Sequence, residues 1–240
     1  LGASVAAVAE NLAASDRLHA DLAREFCVHI CAGSAPVLED GRLVNRARFY
    51  SPAGPLGYQD KLIPTPWERS EWKVSPGDGL SVFDTSLGRI GVMICYDAEF
   101  PLIARAMVEA GAEILLAPSA TEHEQGFWRV RTAAQSRALE SQCVVAHAAL
   151  VGSADWIEAV DVSIGAAALL APPDGRFPVD GVVAKGEINI PGWTIGDVYL
   201  AELRRIRREG AVRNLRHWSE QDHRLGAVHI ISSAEKLSIP

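Results

Sequence analysis

The chain has 240 residues, 48% hydrophobic and 22% charged, an ordinary globular composition with enough length to bury a large core. A formal net charge of −7 argues against a general binder of nucleic acid or anionic membranes, and no apolar run is long enough to cross a bilayer. Four scattered cysteines, Cys27, Cys31, Cys95 and Cys143, do not make a disulfide scaffold, and with no signal peptide in view the expected compartment is a reducing cytoplasm.

The first residue is Leu1 rather than Met, so the natural chain is expected to extend upstream. Val5, Val8, Leu12, Leu18 and Leu22 recur at near-helical spacing and predict a helix over 4–25. Residues 26–32 (FCVHICA) read as a buried strand closed by Gly33 and Ser34, and Leu43 to Tyr50 as a second strand before the turn Pro52-Ala53-Gly54-Pro55. On such a strand Cys27, His29 and Cys31 would share one face. Three ligands on one strand make poor tetrahedral geometry and no CxxC pair supplies the rest, so no metal is expected.

Val82-Phe83 predicts a short strand, Arg89 to Cys95 (RIGVMIC) a strongly apolar one, and Pro101 to Ala110 a helix with Pro in its first turn and Gly111 at its end. Strands follow at Ile114–Ala117, Cys143–Ala148, Ile164–Leu170, Gly181–Asn189 and Asp197–Leu200, and helices at 126–141 and 201–209. Arg204, Arg205, Arg207 and Arg208 alternate with Leu203 and Ile206, the pattern of a wet helix face rather than a phosphate site. The tail from 211 is polar and irregular, except that Trp218 needs a partner surface. With no linker or repeat, the expectation is one domain over 1–240.

Chemistry concentrates at Ile90-Gly91-Val92-Met93-Ile94-Cys95-Tyr96-Asp97-Ala98-Glu99-Phe100-Pro101. An apolar strand ends in Cys, and a helix opens near Pro101. This strand-to-helix turn is a placement that exposes a nucleophile, and a nearby helix N-terminus favours thiolate. The Tyr96 peptide N–H is then placed to meet a developing oxyanion.

ICYDAEFP resembles the nucleophile segment of the nitrilase-like carbon–nitrogen hydrolase superfamily. Other matches stand in family order: Ala32-Gly33-Ser34, Asn45, Gln59-Asp60-Lys61, Gly111 to Ile114 leading to Pro118-Ser119, and Arg137 to Gln142. The segments Thr65 to Trp72 and Pro191-Gly192-Trp193 suggest a less-characterised bacterial-type branch. The resemblance implies a four-layer α-β-β-α sandwich and a Glu-Lys-Cys site: Cys95 attacks, Lys61 stabilises the oxyanion, and Glu68, the better match over Glu71, orients substrate or water. The family's first glutamate, the general base, precedes the first helix. Glu10 and Glu25 are wrongly placed for it, so no residue of the sequence is assigned to it. Tyr96, Ser119 and Thr121 are the candidates for substrate and oxyanion contacts, with His123 and Trp128 nearby. Asp97 is read as turn support, and Arg137 and Glu140 as an internal ion pair.

The implied activity is hydrolysis of a small amide, carbamoyl or ureido compound through a cysteine thioester, with no metal and no other cofactor. Nitrile hydrolysis, acyl transfer to an amine, and a catalytically silent binding or assembly homologue remain alternatives. The resemblance also implies a homodimer or higher homo-oligomer, and the tail 211–240, with Trp218 and Ile230-Ile231 too apolar to float free, is expected to pack on a neighbour. Of the four cysteines, Cys95 is expected to be the fast-reacting one, with an ammonium holding its thiolate while burial protects Cys27, Cys31 and Cys143.

Overall fold

The computed structural model describes residues 3–157 and 160–231. Helix α1 (Ala3–Glu25) precedes β1 (Ile30–Glu39), β2 (Arg42–Ser51) and β3 (Gly54–Asp60), which form an antiparallel three-stranded sheet in the order β1-β2-β3. The chain continues through α2 (Pro66–Ser70), β4 (Val82–Thr85), β5 (Gly88–Val92), α3 (Pro101–Glu109), β6 (Ile114–Ser119), α4 (Glu124–Glu140) and β7 (Val144–Ala149). A short hairpin of β8 (Gly152–Ser153) and β9 (Val162–Ser163) follows, then β10 (Ala168–Leu170), β11 (Val182–Lys185), α5 (Leu200–Glu209) and α6 (Asn214–His217). The second large sheet has the order β11-β10-β7-β6-β5-β4, with β5, β6 and β7 parallel and the outer pairings antiparallel. Helices α3 and α4 are the crossovers that parallel neighbours require.

Side-chain alternation builds the layers. In β2, Arg48 and Tyr50 reach α1, where Asp16 accepts from the Tyr50 hydroxyl at 2.7 Å and pairs with Arg48 at 2.8 Å. Ala47 and Phe49 point the other way and pack against Phe83, Ile90, Val92 and Ile94 of the six-stranded sheet. The opposite face of that sheet carries Leu115, Val145 and Leu170, which pack with Met107 and Val108 of α3 and Val130, Ala134 and Ala138 of α4. Gly91 permits this approach, since a Cβ there would sit 2.5 Å from the Met107 sulfur. The result is the expected four-layer α-β-β-α arrangement. Helix α5 shares the inner face, setting Leu203 and Ile206 on Val144 and Ala171.

The structure corrects several expected elements. Residues 26–29 are not strand. They close α1 in a Schellman turn, with Cys27 at φ +52°, Cys27 N–H donating to Arg24 O and Val28 N–H to Ala23 O. Capping the helix takes these groups out of any ladder and leaves Phe26, Cys27 and Val28 exposed, so the shared strand face considered for a metal does not form. Gly33 and Ser34 do not end β1. Gly33, at φ +76°, makes a bulge there, and the strand runs on to Glu39. Asp197–Leu200 is not a strand, because the Tyr199 carbonyl already accepts the first bonds of α5. Strand β3, with its glycines and proline, carried no readable strand pattern.

The tail is not irregular from 211. It forms α6 and a 3-10 turn at Trp218–Gln221, and the Trp218 ring finds its partner in the Arg105 guanidinium, 4.8 Å from the ring centroid. Beyond it Leu225, Val228, Ile230 and Ile231 are exposed, and the expected packing of 232–240 lies outside the described residues. Among the described residues no helix is long and apolar enough to cross a membrane.

Phe49 is 1% exposed and stacks on Phe83 with ring centroids 4.8 Å apart, so it is the main filling between the sheets. Phe49→Ala is expected to lower unfolding free energy by about 3–5 kcal/mol, read as a lower urea midpoint at unchanged slope.

Candidate active site

The parallel arrangement puts the ends of β5 and β6 side by side. After β5, Met93 N–H still donates to Leu116 O at 2.8 Å, which carries the ladder one residue further. Cys95 then takes φ +50°, a left-handed conformation that costs a non-glycine residue on the order of 1–2 kcal/mol, and opens a 3-10 turn over Cys95–Glu99. Pro101 starts α3 directly afterwards. The thiol lies 3.5 Å from the Ala120 carbonyl beyond the end of β6.

Asp97 fixes this turn and more. Its carboxylate accepts from Ile94 N at 3.2 Å, Leu62 N at 3.2 Å and Ile63 N at 2.9 Å. The residues after Lys61 are thereby tied to the residues around Cys95. Burial pushes the Asp97 carboxyl up to about 6, against the lowering effect of these three N–H groups and of Lys61.

Lys61 continues the register of β3, its N–H donating to Asn45 O at 2.8 Å. Its side chain is 3% exposed, and its ammonium meets Glu68 Oε2 at 2.6 Å. Glu68 is placed by a capping box: Thr65 caps α2, and the Glu68 carboxylate accepts from the Thr65 N–H at 2.6 Å. Asn45 Nδ2 donates to the other oxygen, Oε1, at 3.1 Å. Burial alone would raise the Glu68 carboxyl, but Lys61 and these donors outweigh it and hold it below the usual carboxylate value.

Lys61, Glu68, Cys95, Tyr96, Ser119 and Thr121 all line one cavity of about 770 Å³. The Tyr96 ring packs edge-on to Phe100 at 4.9 Å. Ser119 Oγ is 2.8 Å from His147 Nε2, and Thr121 Oγ1 donates to Ile164 O at 2.8 Å. His123 stands at the rim, largely exposed. Trp128 lies elsewhere, on the outer side of α4 beside a shallow depression. Glu10 and Glu25 are exposed on α1 and line no part of the cavity. Arg137 and Glu140 do approach, at 3.2 Å.

Two participants were underweighted from the sequence. Asn45 shares the inward register of Ala47 and Phe49, a signal that period-two reading contains. His147 sits mid-strand in an apolar run and carries no such signal.

The thiol itself departs from expectation. Burial raises Cys95 above the ordinary thiol value, and Lys61, with backbone groups of Ala120 and Tyr96, offsets only part of this. Cys31 is pushed up to about 11 and Cys143 to about 12, both by burial, whereas Cys27 is exposed on its turn, its thiol 3.8 Å from the Arg24 carbonyl.

A family model described as carbon–nitrogen hydrolase matches residues 4–208. The chain is 40% identical over 213 residues to the "Probable hydrolase YhcX" of Bacillus subtilis (strain 168), covering 89% of this chain and 40% of that protein. It is 32% identical over 143 residues to the omega-amidase NIT2-A of Xenopus laevis, covering 56% of this chain and 51% of that one. The chain therefore spans about half or less of the length of these relatives. Its fold is similar to that of an amidase variant from Nesterenkonia sp. AN1, with a TM-score of 0.69, 22% identity, and coverage of 93% of this chain and 75% of that chain. The amidase structure shows covalent addition of the acetamide moiety of fluoroacetamide at the active site cysteine of that protein.

Iodoacetamide labelling of folded protein, followed by peptide mass spectrometry, is expected to modify Cys27 first at neutral pH. Cys95 should follow more slowly and speed up with pH beyond the ordinary thiol range, and Cys143 should label only on unfolding. Lys61→Met should slow Cys95 further, because the sulfur loses the ammonium that lowers its pKa. Equal Cys95 rates in both proteins would place Lys61 out of electrostatic reach.

Proposed function

The chain belongs to the carbon–nitrogen hydrolase family, and from that premise we propose that it hydrolyses a small amide, carbamoyl or ureido compound through a thioester on Cys95. The reading rests on one observation: a buried ammonium whose charge acts on a thiol held at a left-handed strand-to-helix turn, both on the wall of one cavity.

Cys95 Sγ attacks the carbonyl carbon and loses its proton as the C–S bond forms. A thiol kept protonated by burial gives up that proton only as the C–S bond forms, and the proton ends on the departing amine. Glu68 is committed to Lys61, Thr65 and Asn45, and its part is to hold the ammonium in place. Lys61 and the Tyr96 N–H take the developing oxyanion. The tetrahedral adduct collapses by breaking the C–N bond, and the amine leaves with the proton. Water then adds to the thioester, releasing a carboxylic acid and restoring the thiol. Amidase names among the relatives support an amide, and nitrile hydrolysis by the same thiol stays the alternative, since a relative from Arabidopsis thaliana 39% identical over 103 residues is named Nitrilase 3.

The same reading takes a second copy of the chain as partner, covering the exposed Leu225, Val228, Ile230 and Ile231. Sedimentation should then give a dimer or larger species at micromolar concentration, and a monomer would remove this part of the proposal.

A panel of small amides and ureido compounds, followed by intact-mass measurement, should reveal an acyl adduct on the Cys95 peptide that Cys95→Ala lacks. Lys61→Met is expected to lower kcat by about 10²–10³-fold while the fold is retained. An active Cys95→Ala protein would end the proposal.

A further inference from the structure

His147 stands in β7, 2% exposed, and its Nε2 lies 2.8 Å from Ser119 Oγ at the end of β6. Its other nitrogen, Nδ1, is buried with no hydrogen-bond partner among the described residues. The Phe127 ring stacks on the face of the imidazole, with centroids 5.9 Å apart. Burial, aided by the charge of Arg131, lowers the ring to about 4, so it is neutral at ordinary pH and carries one proton.

Two arrangements are open to a neutral ring. If Ser119 donated to Nε2, the proton would sit on Nδ1 and leave a buried N–H with nothing to accept it. If Nε2–H donates to Ser119 Oγ, only a lone pair on Nδ1 goes unmatched. Orphaned buried N–H groups are the rarer defect, so the second arrangement prevails. Ser119 Oγ then already accepts a bond from the protein, and its own proton remains for a partner in the cavity it lines. The next residue, Ala120, carries the carbonyl that faces the Cys95 thiol, so this wall adjoins the sulfur.

We propose that His147 is a positioning residue that commits the Ser119 hydroxyl to donate into the cavity, toward an acceptor oxygen of the bound substrate. The proposal rests on reading the cavity as an amide hydrolase site.

Two measurements test it. In wild-type protein with 15N-labelled histidine, the NMR coupling pattern of His147 should place the proton on Nε2 and remain constant from pH 5.5 to 8, a range about or more than one unit above its titration. A proton on Nδ1 overturns the proposal, whatever the enzyme does. In turnover of whichever amide acylates Cys95, Ser119→Ala and His147→Phe should each lower kcat/KM by roughly tenfold, the worth of one hydrogen bond, and the double variant no more than either alone. His147→Gln, which keeps an N–H donor, should recover most of the loss. Additive losses, or a Gln variant no better than Phe, reduce His147 to a packing residue and overturn the proposal. Absence of any acyl-enzyme would instead defeat the amidase reading, while the NMR result would still decide the direction of the Ser119–His147 bond.

Discussion

A single buried carboxylate holds together the two segments that carry Lys61 and Cys95. Asp97 accepts peptide N–H groups from Ile94, just before Cys95, and from Leu62 and Ile63, just after Lys61. Hydrogen bonds to a charged acceptor are worth about 1.5–3 kcal/mol each, and three of them oppose the cost of burying the charge. The balance leaves Asp97 at about 6, still ionised for the most part at neutral pH. The spatial relation between thiol and ammonium thus depends on a residue two positions from Cys95.

The Lys61–Glu68 pair has a different logic. Both groups are buried and meet at 2.6 Å, but a buried ion pair stabilises a fold little once desolvation of both charges is counted. What it secures is position. Glu68 is held by a helix cap and by Asn45, and through it the ammonium is fixed on the cavity wall. The carboxylate also keeps Lys61 from acting as an isolated charge on the sulfur. With burial added, Cys95 rests as a thiol rather than a thiolate. A thiol held this way alkylates slowly until its proton is removed.

Layering puts these parts within reach. Parallel β5 and β6 end at the same edge and present Cys95 and Ala120, while the other sheet delivers Lys61 from the end of β3 and Asn45 from the inner face of β2. The cavity is therefore walled by both sheets, and the Phe49–Phe83 packing beneath it sets their separation.

Much of this was legible in the residues alone. The apolar run into Cys95, Pro101 at the helix start and the ordered motifs around Lys61 and Glu68 are local patterns, and they pointed to the fold class and to which side chains would meet. Local reading misjudged 26–29, where apolar character suggested a strand but the end of α1 needed its carbonyls capped, and it underrated Asn45 and His147. It also took Cys95 for a thiolate. A turn or a helix start is decided by neighbours in sequence, so the sequence carries it. A pKa, a paired ammonium or the tautomer of a buried imidazole is decided by desolvation and by partners brought from distant strands, and these exist only once the sheets have packed.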